Sequence, residues 1–204
     1  NPMYENASRF NSPWATIHFN TDYQEQLSNT NVIIFTITPM KGLRIKSQNS
    51  YFVYQRHDYR FYPSTLPRKT ENEGAEAFRY EGDARRLTTE NTITYDKKFK
   101  TGHNLNVMAG FTAKHEIVNR FQLNAKGLIS DNMKWNNMNA IASKENYTAS
   151  TAFEKVVSES VLARLNYNYR SRYYLTLTAR ADASSNFAAN NKWGFFPSGA
   201  FRWN

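Results

Sequence analysis

Apolar and polar side chains alternate with period two along several stretches, most cleanly toward the carboxy-terminal end. From Val161 to Tyr169 the odd positions are Val161, Ala163, Leu165, Tyr167 and Tyr169, while the even ones are Leu162, Arg164, Asn166 and Asn168. After Arg170-Ser171-Arg172 the same parity returns, with Tyr173, Leu175, Leu177, Ala179 and Ala181 set against Tyr174, Thr176, Thr178 and Arg180. Such alternation predicts strands with two chemically different faces. A loop of Arg170, Ser171 and Arg172 opposes Tyr169 to Tyr173, so the two apolar faces coincide. Either a protein core or lipid could lie against that face, because sandwiches and membrane barrels both alternate.

The pattern recurs upstream. Residues 1–29 read as irregular, punctuated by Asn-Pro, Asn-Ser-Pro and Asn-Thr-Asp. From Thr30, Ile33, Phe35 and Ile37 lead into a turn at Pro39–Gly42, and Leu43 and Ile45 then alternate with Arg44 and Lys46. Pairing Ile37 with Leu43 again sets odd against odd. A third strand is predicted over about Leu87–Tyr95, a fourth through Leu105, Val107, Ala109, Phe111 and Ala113, a fifth from near Phe153, and a last one from Phe195. By composition 63–77 and 121–152 are loops. Short connections near 39–42, 97–103 and 170–172 therefore alternate with long ones near 60–78, 121–152 and 184–194. Outer-membrane barrels sort their connections in this way, with short periplasmic turns and long extracellular loops.

The carboxy-terminal stretch also carries a family pattern. Arg164, Asn166-Tyr167-Asn168-Tyr169, Arg172-Tyr173, Leu175-Thr176, Arg180, Asp182, Ser184-Ser185, Phe187, Asn190-Asn191-Lys192-Trp193-Gly194 and Phe196-Pro197-Ser198 resemble the barrel segment of SusC/RagA-type TonB-dependent outer-membrane transporters. Met40-Lys41-Gly42-Leu43, Glu90–Asp96 and Ala109-Gly110-Phe111 are similar to further segments of that family, and Asn1-Pro2-Met3-Tyr4 matches one weakly. Ala183 and Ala188 stand where the family generally has glycine, which touches the loop conformation more than the resemblance. The implied fold is an all-β, antiparallel transmembrane β-barrel segment of about seven strands, with 30–204 part of the barrel domain. Closed transporters of this kind have about 22 strands. The expectation is thus a piece of a barrel, with plug, TonB-contacting segment and final strand lying elsewhere.

Composition changes this picture little. Aromatics make up 15% of the 204 residues, with 13 Tyr and 14 Phe, which suits strands. A mean hydropathy of −0.72 is compatible with a barrel, since half of each strand and all loops are polar. No run of apolar residues is long enough for a spanning helix. The net charge of +9 comes from scattered residues, with no Lys/Arg run beyond pairs such as Arg85-Arg86 and Lys97-Lys98, so no nucleic-acid partner is expected. Asn1-Pro2-Met3-Tyr4 does not read as a leader, so the chain is expected to be part of a longer protein.

The residues carry no catalytic signature. Cysteine is absent, and His18, His57, His103 and His115 lack metal-ligand spacing. Ser184-Ser185 lacks a nucleophile elbow, and no phosphate-cradling glycine motif occurs. No enzyme activity, metal or cofactor is expected. The resemblance implies uptake of oligosaccharides or oligopeptides across the cell outer membrane. Its implied partners are outer-membrane lipid, a SusD-type surface lipoprotein, the TonB–ExbB–ExbD complex and a glycan or peptide substrate. A non-transport outer-membrane barrel for binding or adhesion is the alternative. Candidate substrate contacts are Tyr59, Tyr62, Trp135, Arg164 and Arg180. Tyr167, Tyr169, Tyr173, Asp182, Ser184, Ser185, Phe187, Trp193, Gly194, Phe196 and Pro197 are expected to be structural. Asp182–Pro197 should form an ordered extracellular loop in which Trp193 anchors against a neighbouring loop.

Overall fold

The computed structural model describes residues 17–66, 74–141, 143–188 and 190–204. Its strands are β1 (Thr21–Met40), β2 (Leu43–Tyr62), β3 (Ala75–Lys98), β4 (His103–Leu128), β5 (Tyr147–Tyr169), β6 (Tyr173–Ser184) and β7 (Trp193–Trp203). They form one antiparallel sheet in sequence order, β1-β2-β3-β4-β5-β6-β7, so every neighbour in the chain is a neighbour in the sheet. Connections at 41–42, 99–102 and 170–172 are short, and those at 63–74, 129–146 and 185–192 are longer, as the sequence pattern predicts.

The predicted register of the last hairpin is observed. Tyr169 pairs with Tyr173, and the ladder continues to Ser158 opposite Ser184. β7 adds Trp203 opposite Tyr173 through Trp193 opposite Ala183, again odd against odd. At the first short turn Gly42 takes φ +88°, and the Asp96 amide donates to its carbonyl at 2.8 Å. A Cβ at Gly42 would lie 2.2 Å from the Asp96 carbonyl oxygen, so both conformation and space demand glycine here.

Four expectations are corrected. β1 begins at Thr21 and not Thr30, so 21–29 is strand rather than irregular chain; the rest of that expectation, including NPMY, lies largely outside the described residues. β3 begins at Ala75, well before Leu87. β4 continues to Leu128 and β5 starts at Tyr147, which shortens the predicted loop 121–152 at both ends. Trp193 and Pro197 belong to β7, so only 185–192 of the predicted loop 182–197 lies outside strands. The first three share a cause, which is length. A tilted strand needs about 9–11 residues to cross a bilayer, whereas β4 has 26. Strand beyond an apolar belt has no reason to alternate, and composition alone reads it as loop.

The chain packs as two compact units. The first takes in the stretch ending at Ser28, Tyr54–Ala84 and Val118–Phe153. It holds a small core of Phe61, Ala75, Ala77, Ala125, Leu128 and Met138, with Leu123, Trp135, Ile141 and Tyr147 packed against it. Segment 129–146 is laid onto the strands here. Leu128 bridges Ile141, the Ile129 amide donates to the Ala140 carbonyl at 3.0 Å, and the Tyr147 hydroxyl donates to the Met138 carbonyl. The Asp131 carboxylate accepts from the Ser64 amide at 3.2 Å, which ties 129–146 to the β2–β3 connection.

The second unit comprises Asn29–Val53, Arg85–Ile117 and Glu154–Asn204. None of its described residues is buried. Ile33, Phe35, Ile37, Leu177, Phe195, Phe201 and Trp203, all at odd positions, are between 45% and 68% exposed. Parity is imperfect, since Val32, Ile34 and Phe196 are apolar at even positions. Fully burying a side chain of this size gains about 1.5–3 kcal/mol, so this face calls for an apolar medium that the unit itself does not supply. We predict that Leu177→Arg will cost about 2–4 kcal/mol and block membrane assembly of the full-length protein, as an arginine at mid-bilayer on a lipid face does. Thr178→Arg, on the opposite face, should assemble at near wild-type yield. Heat-modifiable migration of outer-membrane fractions reads both, and equal tolerance would refute the assignment of faces.

Candidate functional site

The even-numbered face of the second unit is a hydrogen-bonded polar wall. Asn106 donates to Asp96 at 2.6 Å, Asn166 donates to Asn106 at 3.0 Å, and Thr176 donates to Asn166 at 2.9 Å. That row crosses β3, β4, β5 and β6, with each strand giving one side chain. It lines a cavity of about 260 Å³ together with Asn104 and Asn168. Further along, the Glu116 carboxylate accepts from Arg86 at 2.5 Å and from Lys114 at 2.9 Å. Asp182 accepts from Arg180 at 2.8 Å and from Ser160 at 2.5 Å. The registry that aligns the apolar face also aligns this one, because side chains alternate strictly along paired strands.

The candidate contacts Arg164 and Arg180 both belong to this wall. Arg164 stands opposite Thr178 and Arg180 opposite Leu162, so the two residues are diagonal neighbours on β5 and β6. Arg164 is exposed, whereas Arg180 is engaged with Asp182. The wall offers amides, hydroxyls and guanidinium groups to an aqueous space. Groups of these kinds can hydrogen-bond a polar solute.

The other candidates lie in the first unit. Tyr59 stacks on Tyr23 with ring centroids 5.9 Å apart and on Trp135 at 5.7 Å, while the Arg79 guanidinium lies 5.3 Å from its centre. The Lys134 ammonium sits 5.8 Å from the Trp135 ring and donates to Thr21 Oγ1 at 3.1 Å. Tyr59 and Trp135 are thus brought together, and each is engaged by groups of the chain itself. Tyr62 is half-buried at the end of β2. A cavity of about 360 Å³ adjoins the stack, lined by Arg79, Glu81, Phe121, Leu123, Trp135 and Asn137 among others. A second of about 390 Å³ shares Glu81 and Phe121 and adds His57, Asp83 and Asn119.

The motif residues sort by position. At the short turns His103 stacks on Tyr169 at 4.5 Å and meets the Tyr167 hydroxyl at 2.5 Å, and Tyr169 stacks on Tyr173 at 6.4 Å. Ser185 closes the β6–β7 connection: its amide donates to the Val157 carbonyl at 2.8 Å, and its hydroxyl accepts from the Val157 amide at 3.0 Å. The Phe187 amide donates to the Ser184 carbonyl at 3.3 Å. Gly194, Phe196 and Pro197 pair with Asp182, Arg180 and Ala179. Trp193 pairs with Ala183 and is 56% exposed, in a strand and not folded into a loop. The tryptophan that ties down a long connection is Trp135. Sequence reading missed the Tyr23 and His103 partners; the signal for His103 was its placement at a short turn, level with Tyr169. Among the described residues no cluster of His, Asp or Glu could hold a metal ion.

An open antiparallel sheet with one apolar exposed face, one polar face, and short and long connections in alternation is the wall of a transmembrane β-barrel. No protein-family profile matches the chain. It is 32% identical over 163 residues to TonB-dependent receptor P3 of Formosa agariphila, spanning 80% of this chain and 16% of that receptor. TonB-dependent receptor P26 of the same organism is 32% identical over 114 residues, 56% of this chain and 11% of its own. TonB-dependent receptor SusC of Bacteroides thetaiotaomicron is 50% identical over 44 residues, 22% of this chain and 4% of SusC. The RagAB peptide importer in its closed-closed state superimposes with a TM-score of 0.79 at 20% identity, covering 89% of this chain and 20% of the other, a likeness of fold. The chain belongs to the TonB-dependent receptors, and it spans a minor share of the length of the relatives it matches.

The Tyr59–Trp135 stack yields a prediction. Aromatic pairs contribute about 0.5–1.5 kcal/mol beyond the area they bury. Trp135→Ala in the full-length receptor should speed proteolysis within 129–146 several-fold, while Trp193→Ala leaves that rate unchanged. Limited proteolysis of purified protein, with cleavage sites mapped by mass spectrometry, compares them; equal rates for the two variants would remove the anchor role.

Proposed function

We propose that the whole protein is an active outer-membrane importer of oligosaccharides or oligopeptides, with a SusD-type lipoprotein capturing substrate and TonB–ExbB–ExbD supplying energy. In this reading residues from Thr21 onward are barrel wall, the short turns face the periplasm and the long connections face outward. The similarity to receptors named TonB-dependent, SusC among them, carries the proposal. The polar wall of the second unit supports it, because a transporter needs a hydrated surface inside its barrel.

The mechanism is passage without bond chemistry. Arg164 and Arg180, with the amide row from Asp96 to Thr176, line the route and exchange hydrogen bonds with a hydrated solute. Tyr59 and Trp135 act on the outer connections by holding 129–146 in place. Tyr62 is proposed as a further substrate contact at the end of β2.

The test is uptake of labelled oligosaccharide and oligopeptide pools by cells carrying the full-length receptor, with and without tonB. Uptake should vanish without TonB. Arg164→Ala with Arg180→Ala should lower uptake per receptor several-fold at unchanged surface abundance. Surface binding of either pool with no TonB-dependent uptake would instead support the binding or adhesion alternative.

A further inference from the structure

The net positive charge, scattered along the sequence, is gathered by the fold at the short-turn edge. Turn region 38–46 carries Lys41, Arg44 and Lys46, and region 94–104 carries Lys97, Lys98 and Lys100 against the single carboxylate Asp96. Arg170 and Arg172 occupy the third short turn, and Arg202 lies near the end of β7. These nine cations and one carboxylate account for +8 of the net +9, leaving 17 cations against 16 carboxylates elsewhere. Backbone bonds join the neighbouring turns: Asp96 N–H to Gly42 O at 2.8 Å, Arg170 N–H to Gly102 O at 2.8 Å, and Asn204 N–H to Arg172 O at 3.0 Å. The basic residues therefore form a continuous rim and not a scatter.

Part of this rim is seated on the apolar face. Lys97 lies over the Phe99 ring at 5.0 Å, Arg170 over Tyr169 at 5.2 Å, and Arg172 over both Tyr173 and Trp203 at 5.9 Å. All four rings are at odd positions, the parity of the exposed Leu177, Phe195 and Phe201. Tyrosine and tryptophan at this level mark the headgroup region of a bilayer. A cation held above such a ring has its charged end in the headgroup layer and its stem along the apolar surface.

The turn also tolerates backbone strain. Arg170 and Ser171 have φ of 49° and 53°, where hairpins of this type prefer Asn and Gly. Left-handed backbone at a non-glycine residue persists where the surroundings enforce it, and such residues cluster at ligand clamps. Asn168 Oδ1 holds the Ser171 amide at 2.9 Å, and the Arg172 amide donates to the Tyr169 carbonyl at 3.0 Å. The result places the two guanidinium-bearing residues on either side of one tight turn, above three aromatic rings.

We propose that Lys97, Arg170 and Arg172 form a binding surface for anionic glycerophospholipid headgroups at the short-turn edge of the barrel. Guanidinium groups match the phosphate fork bidentately, and the aromatic rings fix their height against the bilayer. The choice of glycerophospholipid rests on the proposed orientation, in which the short turns face the periplasmic leaflet. Each basic residue near an anionic surface changes lipid affinity by about fivefold, and the effect is screened by salt.

The experiment uses the full-length receptor extracted in mild detergent and exposed to phosphatidylglycerol, phosphatidylcholine or lipid A, with retained lipid counted by native mass spectrometry. Phosphatidylglycerol should be retained at least tenfold over phosphatidylcholine at low salt, with the preference reduced at high salt. Lys97→Gln, Arg170→Gln and Arg172→Gln together should abolish it, while Arg170→Lys with Arg172→Lys, which keeps the charge and loses the bidentate fork, should lower it to an intermediate level. Heat-modifiable migration of each variant reports folding independently of lipid. Equal retention of phosphatidylglycerol and phosphatidylcholine, or an undiminished preference in the folded triple variant, would overturn the proposal. A preference for lipid A also overturns it, and by placing this edge at the opposite leaflet it faults the orientation and leaves the import reading intact.

Discussion

Backbone hydrogen bonding without water is the constraint on which everything else here depends. Inside a bilayer each unpaired amide or carbonyl costs several kcal/mol, so strands cross only when paired on both sides in a closed ring. The observed sheet satisfies this between β1 and β7 by joining sequential neighbours alone. That meander needs only local connections, which is why two residues at 41–42 and three at 170–172 suffice at one end. Glycine at 42, with its positive φ and its carbonyl bonded to Asp96, shows how tightly one hairpin is drawn against the next.

Registry then makes two surfaces from one pattern. Because odd pairs with odd from Tyr169–Tyr173 through Tyr173–Trp203, the apolar odd residues share one side and the mostly polar even residues share the other. The row from Asp96 to Thr176 follows from this and needs no loop to build it. No described residue of the second unit is buried, so its apolar energy comes from surroundings outside this sheet. The first unit has a core, but a small one of alanines with Phe61, Leu128 and Met138, formed where a long connection folds back on strands.

What was legible in the sequence was the part in contact with two different media. Alternation at Val161–Ala181, Ile33–Ile45 and Leu105–Ala113 gave strands, parity and register, because lipid on one side and water on the other impose opposite demands on successive residues. Strand continues through 21–28, 75–86, 121–128 and 147–152, where that contrast fades and side chains such as Glu25, Asp83 and Asn124 carry no periodic signature. There the ladder of a neighbouring strand, and not the side chains, keeps the backbone extended. The substrate candidates were chosen by residue type, and type does not say which ring a ring will meet. Tyr23, the partner of Tyr59, lay in a stretch that looked irregular.

The two tryptophans show how parity could have been used further. Trp193 looked like a loop anchor because it sits among Asn, Lys and Gly, yet it shares odd parity with Phe195, Phe201 and Trp203, which are 67%, 68% and 65% exposed. An aromatic in phase with an apolar strand face belongs to that face, at its edge, where an amphipathic ring bridges hydrocarbon and water. Trp135 has no strand to be in phase with; it lies between Lys134 and Asn136 in a single 3-10 turn. A large ring in such a segment exposes more apolar area than a short turn stabilises unaided, so it finds a partner on the sheet, and Tyr59 is that partner. Phase relative to the strand pattern, more than the polarity of flanking residues, decides whether an aromatic in such a barrel faces lipid or holds a loop.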